Sequence, residues 1–345
     1  MIPTARSIRR RPPTATVLAI LSVLLVLSII VAAAVGPVHL PFSGIVRALI
    51  HPREVTDVNL ILLGLRLPRV LAAALAGAGL SATGVLFQGL FRNPLADPFV
   101  LGASGGAALG GALAVYLFPT VSVLGIGASG MLAFAGALLT MVIVLNLARR
   151  NASFAIENML LAGFAVGTML NAATSAFQLR QEASNPGARI LAAWIYGQLG
   201  TPPWIQIAIT AAVTFLAVGL ALPLARNLNT LALGEEYALQ LGVRVHRVRV
   251  QVLIIGSLLT ALAVSLGGLI GFVGLLVPHF LRLILGPDHF RLLPVAAIGG
   301  ATFLVIADTV ARTAVAPAEL PVGILTAFIG GPAFLYLLNR RREVA

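Results

Sequence analysis

Long stretches without charge alternate along the chain with short clusters of arginine, proline and glycine. Val17–Val35, Val70–Phe91, Pro98–Ala148, Asn158–Leu179, Ile190–Ala225, Val250–Leu281 and Leu320–Asn339 contain no Asp, Glu, Lys or Arg, and Leu292–Ala311 contains only Asp308. These stretches are apolar on every side, the pattern of a helix surrounded by protein or lipid. A helix needs about 20 such residues to cross the hydrocarbon core. Pro119 divides Pro98–Ala148 into two spans. Pro202-Pro203 divides Ile190–Ala225 and leaves Trp194–Leu199 too short to cross, with aromatics suited to an interface. Val250–Leu281 is interrupted by Gly267-Gly268, Gly271, Gly274 and Pro278. It reads as one full span and a short broken one that continues to Leu285. The pattern predicts an all-α polytopic membrane protein with about ten transmembrane helices, organised as one domain over residues 1–345.

Composition agrees. Of the 345 residues, 59% are hydrophobic and 10% charged, against about a quarter charged in soluble domains. Disorder is excluded by the same numbers. Arg9–Arg11 precede the first apolar run, and Ala32–Ala34 ends it, as in a signal peptide. The run is longer than the usual apolar region of about 7–15 residues, so it reads as a retained helix behind a cytoplasmic tail over 1–14.

All 23 basic residues are arginine, and the net charge is +12. Ten spans from a cytoplasmic N-terminus place Arg47, Arg53, Arg66, Arg69, Arg180, Arg189 and Arg312 outside and the remaining sixteen inside. That asymmetry is the positive-inside bias of a multi-pass membrane protein with both termini cytoplasmic. The basic charge therefore reads as topology, and no nucleic-acid partner is expected. Cysteine is absent, which excludes disulfides and thiolate chemistry. Small residues at Ala74 and Ala78, at Gly102, Gly106 and Gly110, and at Gly163 and Gly167 permit close helix contact in lipid.

Enzyme chemistry is not legible. Without lysine there is no P-loop, and the five histidines show no metal-ligand spacing. No catalytic residue, metal or cofactor is expected. Asp308 alone is thin support for a proton relay. A secondary carrier acting alone and an integral membrane enzyme are the alternative classes; the second predicts polar clusters inside the bilayer, which the spans lack.

Four strings stand out: Arg66-Leu-Pro-Arg69; Arg92-Asn-Pro-Leu-Ala-Asp-Pro98; Gly271-Phe-Val-Gly-Leu-Leu-Val-Pro-His279, leading to Arg282 and Asp288-His289; and Glu319-Leu-Pro-Val-Gly323. Proline in each breaks regular helix where backbone lines a cavity or is covered by protein. Together, and in this order, they closely resemble the FecCD-type permeases, the membrane subunits of type II ABC importers for iron–siderophores, haem and cobalamin. The resemblance runs from Arg66 to about Leu338. It implies the type II importer permease fold in a bacterial or archaeal cytoplasmic membrane, a homodimer, or a pseudo-dimer with a paralogue, with the pathway on its two-fold axis, two cytoplasmic ATP-binding subunits and an extracytoplasmic substrate-binding protein. Iron–siderophore is the expected cargo, with cobalamin and haem as alternatives.

The resemblance also implies site residues. Leu231–Gly242 matches the family's cytoplasmic coupling segment, with Leu233, Gly234, Glu235, Glu236, Leu241 and Gly242 facing the ATPase. On the residues alone it is a short amphipathic piece bracketed by Gly234 and Gly242, with Leu233, Leu239 and Leu241 on one apolar side. Asn93 and Leu95 match a cytoplasmic gate, in a loop that Pro94 and Pro98 keep from being helical. No second gate is assigned near Ala155–Asn158. Arg66 and Arg312 match arginines that dock the binding protein; an internal pair of Arg312 with Asp308 or Glu319 is the competing reading.

Overall fold

The computed structural model describes residues 11–36, 38, 40–54, 56–150, 156–180, 192, 194–315 and 318–342. Arg6, Arg9, Arg10, Arg189, Ala155 and the segment 181–191 lie outside the described residues. In lipid the backbone must satisfy its own N–H and C=O groups, and a helix does so within one segment. The chain accordingly folds into α1 (Thr14–Ala34), α2 (Phe42–Ile50), α3 (Asp57–Leu90), α4 (Ala103–Leu117), α5 (Ala128–Arg150), α6 (Ile156–Arg180), α7 (Trp204–Leu231), α8 (Glu235–Gln240), α9 (Val245–Gly267), α10 (Val273–Leu285), α11 (His289–Thr313) and α12 (Val322–Arg342). A two-stranded hairpin, Ser122–Val123 with Ile126–Gly127, turns the chain between α4 and α5.

Among the described residues, α1, α3, α5, α6, α7, α9 and α11 are long and apolar enough to cross a membrane. The shorter apolar helices α4, α10 and α12 bring the set to ten. Several boundaries differ from the sequence reading. The predicted start of the second span at Val70 is wrong: α3 begins at Asp57, with a π-helical stretch over Leu60–Arg66. Counting Arg66 and Arg69 as boundary charges truncated it, whereas both are buried against other helices. The α7 helix runs past Ala225 to Leu231, and Arg226 lies 4.2 Å from the ring centroid of Phe290. The amphipathic helix α2 was not foreseen. Trp194 does not sit on an outer surface: its ring packs beside Gly111, and its carbonyl accepts from the N–H of Leu269 (3.3 Å).

The central post is α3, the most enclosed span, whereas α1 and α6 are mostly open. Lipid tails are as apolar as leucine, so close backbone packing rather than apolar burial holds such helices together. Gly77 of α3 faces Gly300 of α11, and a Cβ on either would overlap the other's carbonyl oxygen. Gly84 meets Gly274 of α10 just as closely, and Gly106 of α4 meets Gly136 of α5.

The short α10 shows how a break is tolerated. Proline has no N–H, so Pro278 leaves the carbonyl of Gly274 without its helical partner. Gln88 of α3 supplies the replacement: its Nε2 donates to the carbonyls of Gly274 and Leu275, each at 3.3 Å. The cost of an orphaned carbonyl in hydrocarbon, several kcal/mol, is thereby avoided.

Candidate functional site

The helix directions gather the connections into two sets. One end of the bundle carries the turn after α3, the α8 segment and the α10–α11 turn, with Arg92, Arg226, Arg244, Arg247, Arg249, Arg282 and Arg291. The opposite end carries α2, the hairpin and the α11–α12 connection, with Arg47, Arg53, Arg66, Arg69 and Arg312.

At the arginine-rich end, α7 stops at Leu231 and the chain turns through Gly234, whose φ of +128° is open only to glycine at little cost. The one-and-a-half-turn helix α8 follows. It ends in a Schellman motif, with Gly242 at φ +80°, its N–H bonded to Leu239 and the N–H of Val243 bonded to Ala238. Ala238 is buried against the bundle and seats the helix. Glu235 and Glu236 occupy its first turn, and Arg249 of α9 donates to Glu235 at 2.6 Å. The predicted apolar side does not face the bundle: Leu233, Tyr237, Leu239 and Leu241 are all more than half exposed. A short rigid helix that presents large apolar side chains outward, beside charged neighbours, has the anatomy of a docking surface.

The turn after α3 begins with a second Schellman motif, in which the left-handed position is held by Arg92 (φ +48°) rather than glycine. The N–H of Asn93 bonds to Gln88, and Asn93 Oδ1 accepts from the N–H of Leu95 (3.0 Å). Asn93 therefore shapes the turn, and Leu95 is half-buried beside it. Asp97 caps the 3₁₀ turn Pro98–Leu101 by accepting from the N–H of Phe99 (2.9 Å). Burial pushes its carboxyl up to about 6, against the opposing pull of that bond.

Sequence reading missed Asn229, which ties the root of α8 to α11. Its Nδ2 donates to Asp288 Oδ1 (2.7 Å), and its Oδ1 accepts from the N–H of His289 (2.8 Å). Asp288 also caps α11 through Phe290 and pairs with Arg291 (3.1 Å). Burial raises the Asp288 carboxyl, but the bonds from Asn229, Phe290 and Arg291 outweigh it and hold the group below its ordinary value. Asn229 thus joins the end of α7, from which α8 leaves, to the start of α11.

At the opposite end, the last turn of α1 contains no cation, and other helices supply it. Arg66 Nη1 donates to the carbonyls of Ala33 (2.9 Å) and Ala34 (2.7 Å), and Nη2 donates to Val38. Arg312 Nη2 donates to Ala32 (3.3 Å). The carbonyls of Ala32, Ala33 and Ala34 are orphans of a helix C-terminus, where positive charge is favourable. Arg312 also pairs with Asp308 (3.0 Å). Arg69, which sequence reading assigned no role, bridges Asp308 (3.0 Å) and Glu319 (2.6 Å). The two arginines nominated for docking are thus turned inward, with 5% and 3% of their surface exposed, and the internal Arg312–Asp308 pair is the arrangement present. No group of His, Asp or Glu among the described residues could hold a metal ion.

The sequence profile of the FecCD transport family matches residues 24–340. The chain is 44% identical over 310 residues to the cobalamin import system permease protein BtuC of Halobacterium salinarum, covering 88% of this chain and 81% of that protein. It is 40% identical to the hemin transport system permease protein HmuU of Yersinia pestis, covering 94% and 96%. It is 38% identical to the Fe(3+) dicitrate transport system permease protein FecD of Escherichia coli, covering 82% and 86%. A solved structure described as an inward-facing conformation of a metal-chelate type ABC transporter superposes with a TM-score of 0.79 at 30% identity, covering 95% of this chain and 99% of the other.

Proposed function

The chain belongs to the FecCD transport family, and we propose that, as the multi-pass permease subunit of a type II ABC importer for metal chelates, it passes an iron–siderophore complex through the cytoplasmic membrane. It is a transport permease and not an enzyme. Permeases of this family work with ATP-binding subunits and a substrate-binding protein. The observation that carries the mechanistic reading is the outward apolar face of α8, Leu233, Tyr237, Leu239 and Leu241, on a helix fixed by Gly234, Gly242 and the Glu235–Arg249 pair.

In our reading the arginine-rich end is cytoplasmic, as the positive-inside bias requires. Two ATPase subunits grip the α8 faces of two permease copies. ATP binding draws them together, α8 moves with its ATPase, and Asn229 carries the displacement to α11. The dimer then alternates between outward- and inward-facing states, with Leu95 of the two copies forming the cytoplasmic constriction and Asn93 holding it in place. Docking of the binding protein on Arg66 and Arg312 requires the Ala33–Val38 turn to lift away from Arg66. Arg47 and Arg53, exposed at the same end, are the cations an acidic partner meets first.

A second cargo is favoured by a specific observation: the relative at 44% identity is named for cobalamin import. Proteoliposomes containing the permease, its ATPase and its binding protein separate the two by ATP-driven uptake of labelled ferric siderophore, cobalamin and hemin. In the same assay Glu235→Arg and Gly234→Pro should lower uptake at least severalfold while membrane insertion is unchanged. Normal uptake by both variants would refute the coupling role of α8.

A further inference from the structure

At the arginine-rich end, between the turn after α3 and the α10–α11 turn, lies a cavity of about 400 Å³ lined by Gln88, Arg92, His279, Arg282, Leu283 and His289, among others. Neither the coupling face nor the gate uses it. Its volume lies within the range of ligand pockets, about 300–1,000 Å³. The lining contains two guanidiniums and two imidazoles but no carboxylate.

Three features point to an anion. First, Nε and Nη2 of Arg282 are enclosed by protein and have no hydrogen-bond partner among the described residues. A guanidinium in that state costs several kcal/mol unless an acceptor is supplied. The acid on the adjoining turn, Asp288, is already committed to Asn229, Phe290 and Arg291. Second, Arg92 occupies a left-handed backbone position, φ +48°, where glycine is the residue favoured by sterics. The chain thus places a second guanidinium at the rim of the cavity against a local backbone preference. Third, Gln88 Oε1 is buried without a donor among the described residues, while its Nε2 is held by the carbonyls of α10. The site therefore offers charged donors together with one acceptor, a set that matches a phosphate group accompanied by a hydroxyl, either its own P–OH or one on a headgroup substituent.

We propose that this cavity binds a phosphate group, held by Arg282 and Arg92 through charge-assisted hydrogen bonds. Two sources present that chemistry: the headgroup of an anionic phospholipid and free inorganic phosphate. Beside the cavity, Phe280, Leu283 and Ile284 of α10 expose large apolar surface, a strip along which an acyl chain can lie while its phosphate turns inward. An acidic side chain from an ATPase subunit is a different partner, and the test below separates it.

The full-length permease in nanodiscs of zwitterionic lipid is titrated with inorganic phosphate at ionic strength balanced with chloride, and its thermal midpoint is followed. In parallel, native mass spectrometry measures retention of phosphatidylglycerol against phosphatidylcholine. The wild type should show a saturable response to phosphate or selective retention of phosphatidylglycerol; the first result assigns the free anion and the second the headgroup. Arg282→Gln and Arg92→Gln should each weaken it about tenfold or more, while Arg53→Gln, at the opposite end, should leave it unchanged. If Arg282→Gln does not fold, Arg92→Gln at an exposed turn carries the same test. The proposal is overturned if the wild type responds to neither probe, or if both variants respond like the wild type. It is also overturned if the wild type is silent and the variants lose only co-purification of the ATPase, which would assign the site to that subunit's carboxylate.

Discussion

Asp308→Asn tests the reasoning about the buried charges at the end of the bundle opposite α8. Asp308 is 1% exposed and accepts from Arg69 through Oδ1 (3.0 and 3.2 Å), while Oδ2 lies 3.0 Å from Nε of Arg312. Among the described residues, Asp308 and Glu319 are the acids paired with Arg69 and Arg312, and Arg66 is held by backbone carbonyls. Asparagine keeps one acceptor oxygen but turns an NH₂ group toward the other guanidinium, so one bond and one negative charge are lost together. Removing one partner of a buried pair costs about 3–5 kcal/mol. On the entropy scale of soluble proteins, that lowers the melting midpoint of a chain of this length by about 4–7 °C. The assay is thermal unfolding of the full-length permease in nanodiscs. The control is the double variant Asp308→Asn with Arg312→Gln, which removes the excess cation. It should recover part of the loss, with a coupling of about 1–3 kcal/mol. A single variant as stable as the wild type, or strictly additive losses, would refute the account of Asp308 as the counter-ion of two arginines.

Other expectations follow from other contacts. Gly300→Val forces α11 away from Gly77 of α3 and should reduce folded yield sharply, with a loss of at least about 1–3 kcal/mol, whereas Gly64→Ala, with open space around its Cβ position, should be neutral; size-exclusion profiles after expression compare them. Leu95→Cys in a cysteine-free chain should cross-link between two permease copies to an extent that changes with nucleotide in the assembled importer, and an unchanging yield would remove Leu95 from the gate. For Asp97, the folded carboxyl titrates near 6 and the unfolded one near 3.9. The folded state then binds more protons between these values, so wild-type stability falls as pH rises through that window. Asp97→Asn keeps an acceptor for Phe99 and should flatten this dependence, with a gain at pH 7.5 below about 3 kcal/mol because solvent still reaches the side chain; parallel melting curves at pH 4.5 and 7.5 would refute it.

The spans were legible because uncharged length is a local property, and the expectation of ten helices matches the ten apolar helices among the described residues. The α8 segment was legible for the same reason, since Gly234 and Gly242 mark both its turns. The start of α3 was not. An arginine in sequence reads as the edge of the membrane, and nothing local shows that Arg69 meets an acid 239 residues later. Asn229 was missed likewise, because its partners Asp288 and His289 lie on a different helix. The direction of the apolar side of α8 was also hidden, since amphipathicity identifies a face but not what it faces.

The caps on α1 bear on how the chain is made. Its C-terminal carbonyls are served by Arg66 and by Arg312, which is 280 residues away from Ala32. At about 5–20 residues per second of synthesis, Arg66 follows α1 out of the ribosome within seconds, whereas Arg312 follows after roughly a quarter of a minute to a minute. For that interval one guanidinium at most is available to the C-terminal carbonyls of the first helix, few of whose residues are enclosed even in the finished bundle. A chain stalled before α11 therefore lacks the Arg312 half of the α1 cap, so completing the first helix waits on one of the last to be made.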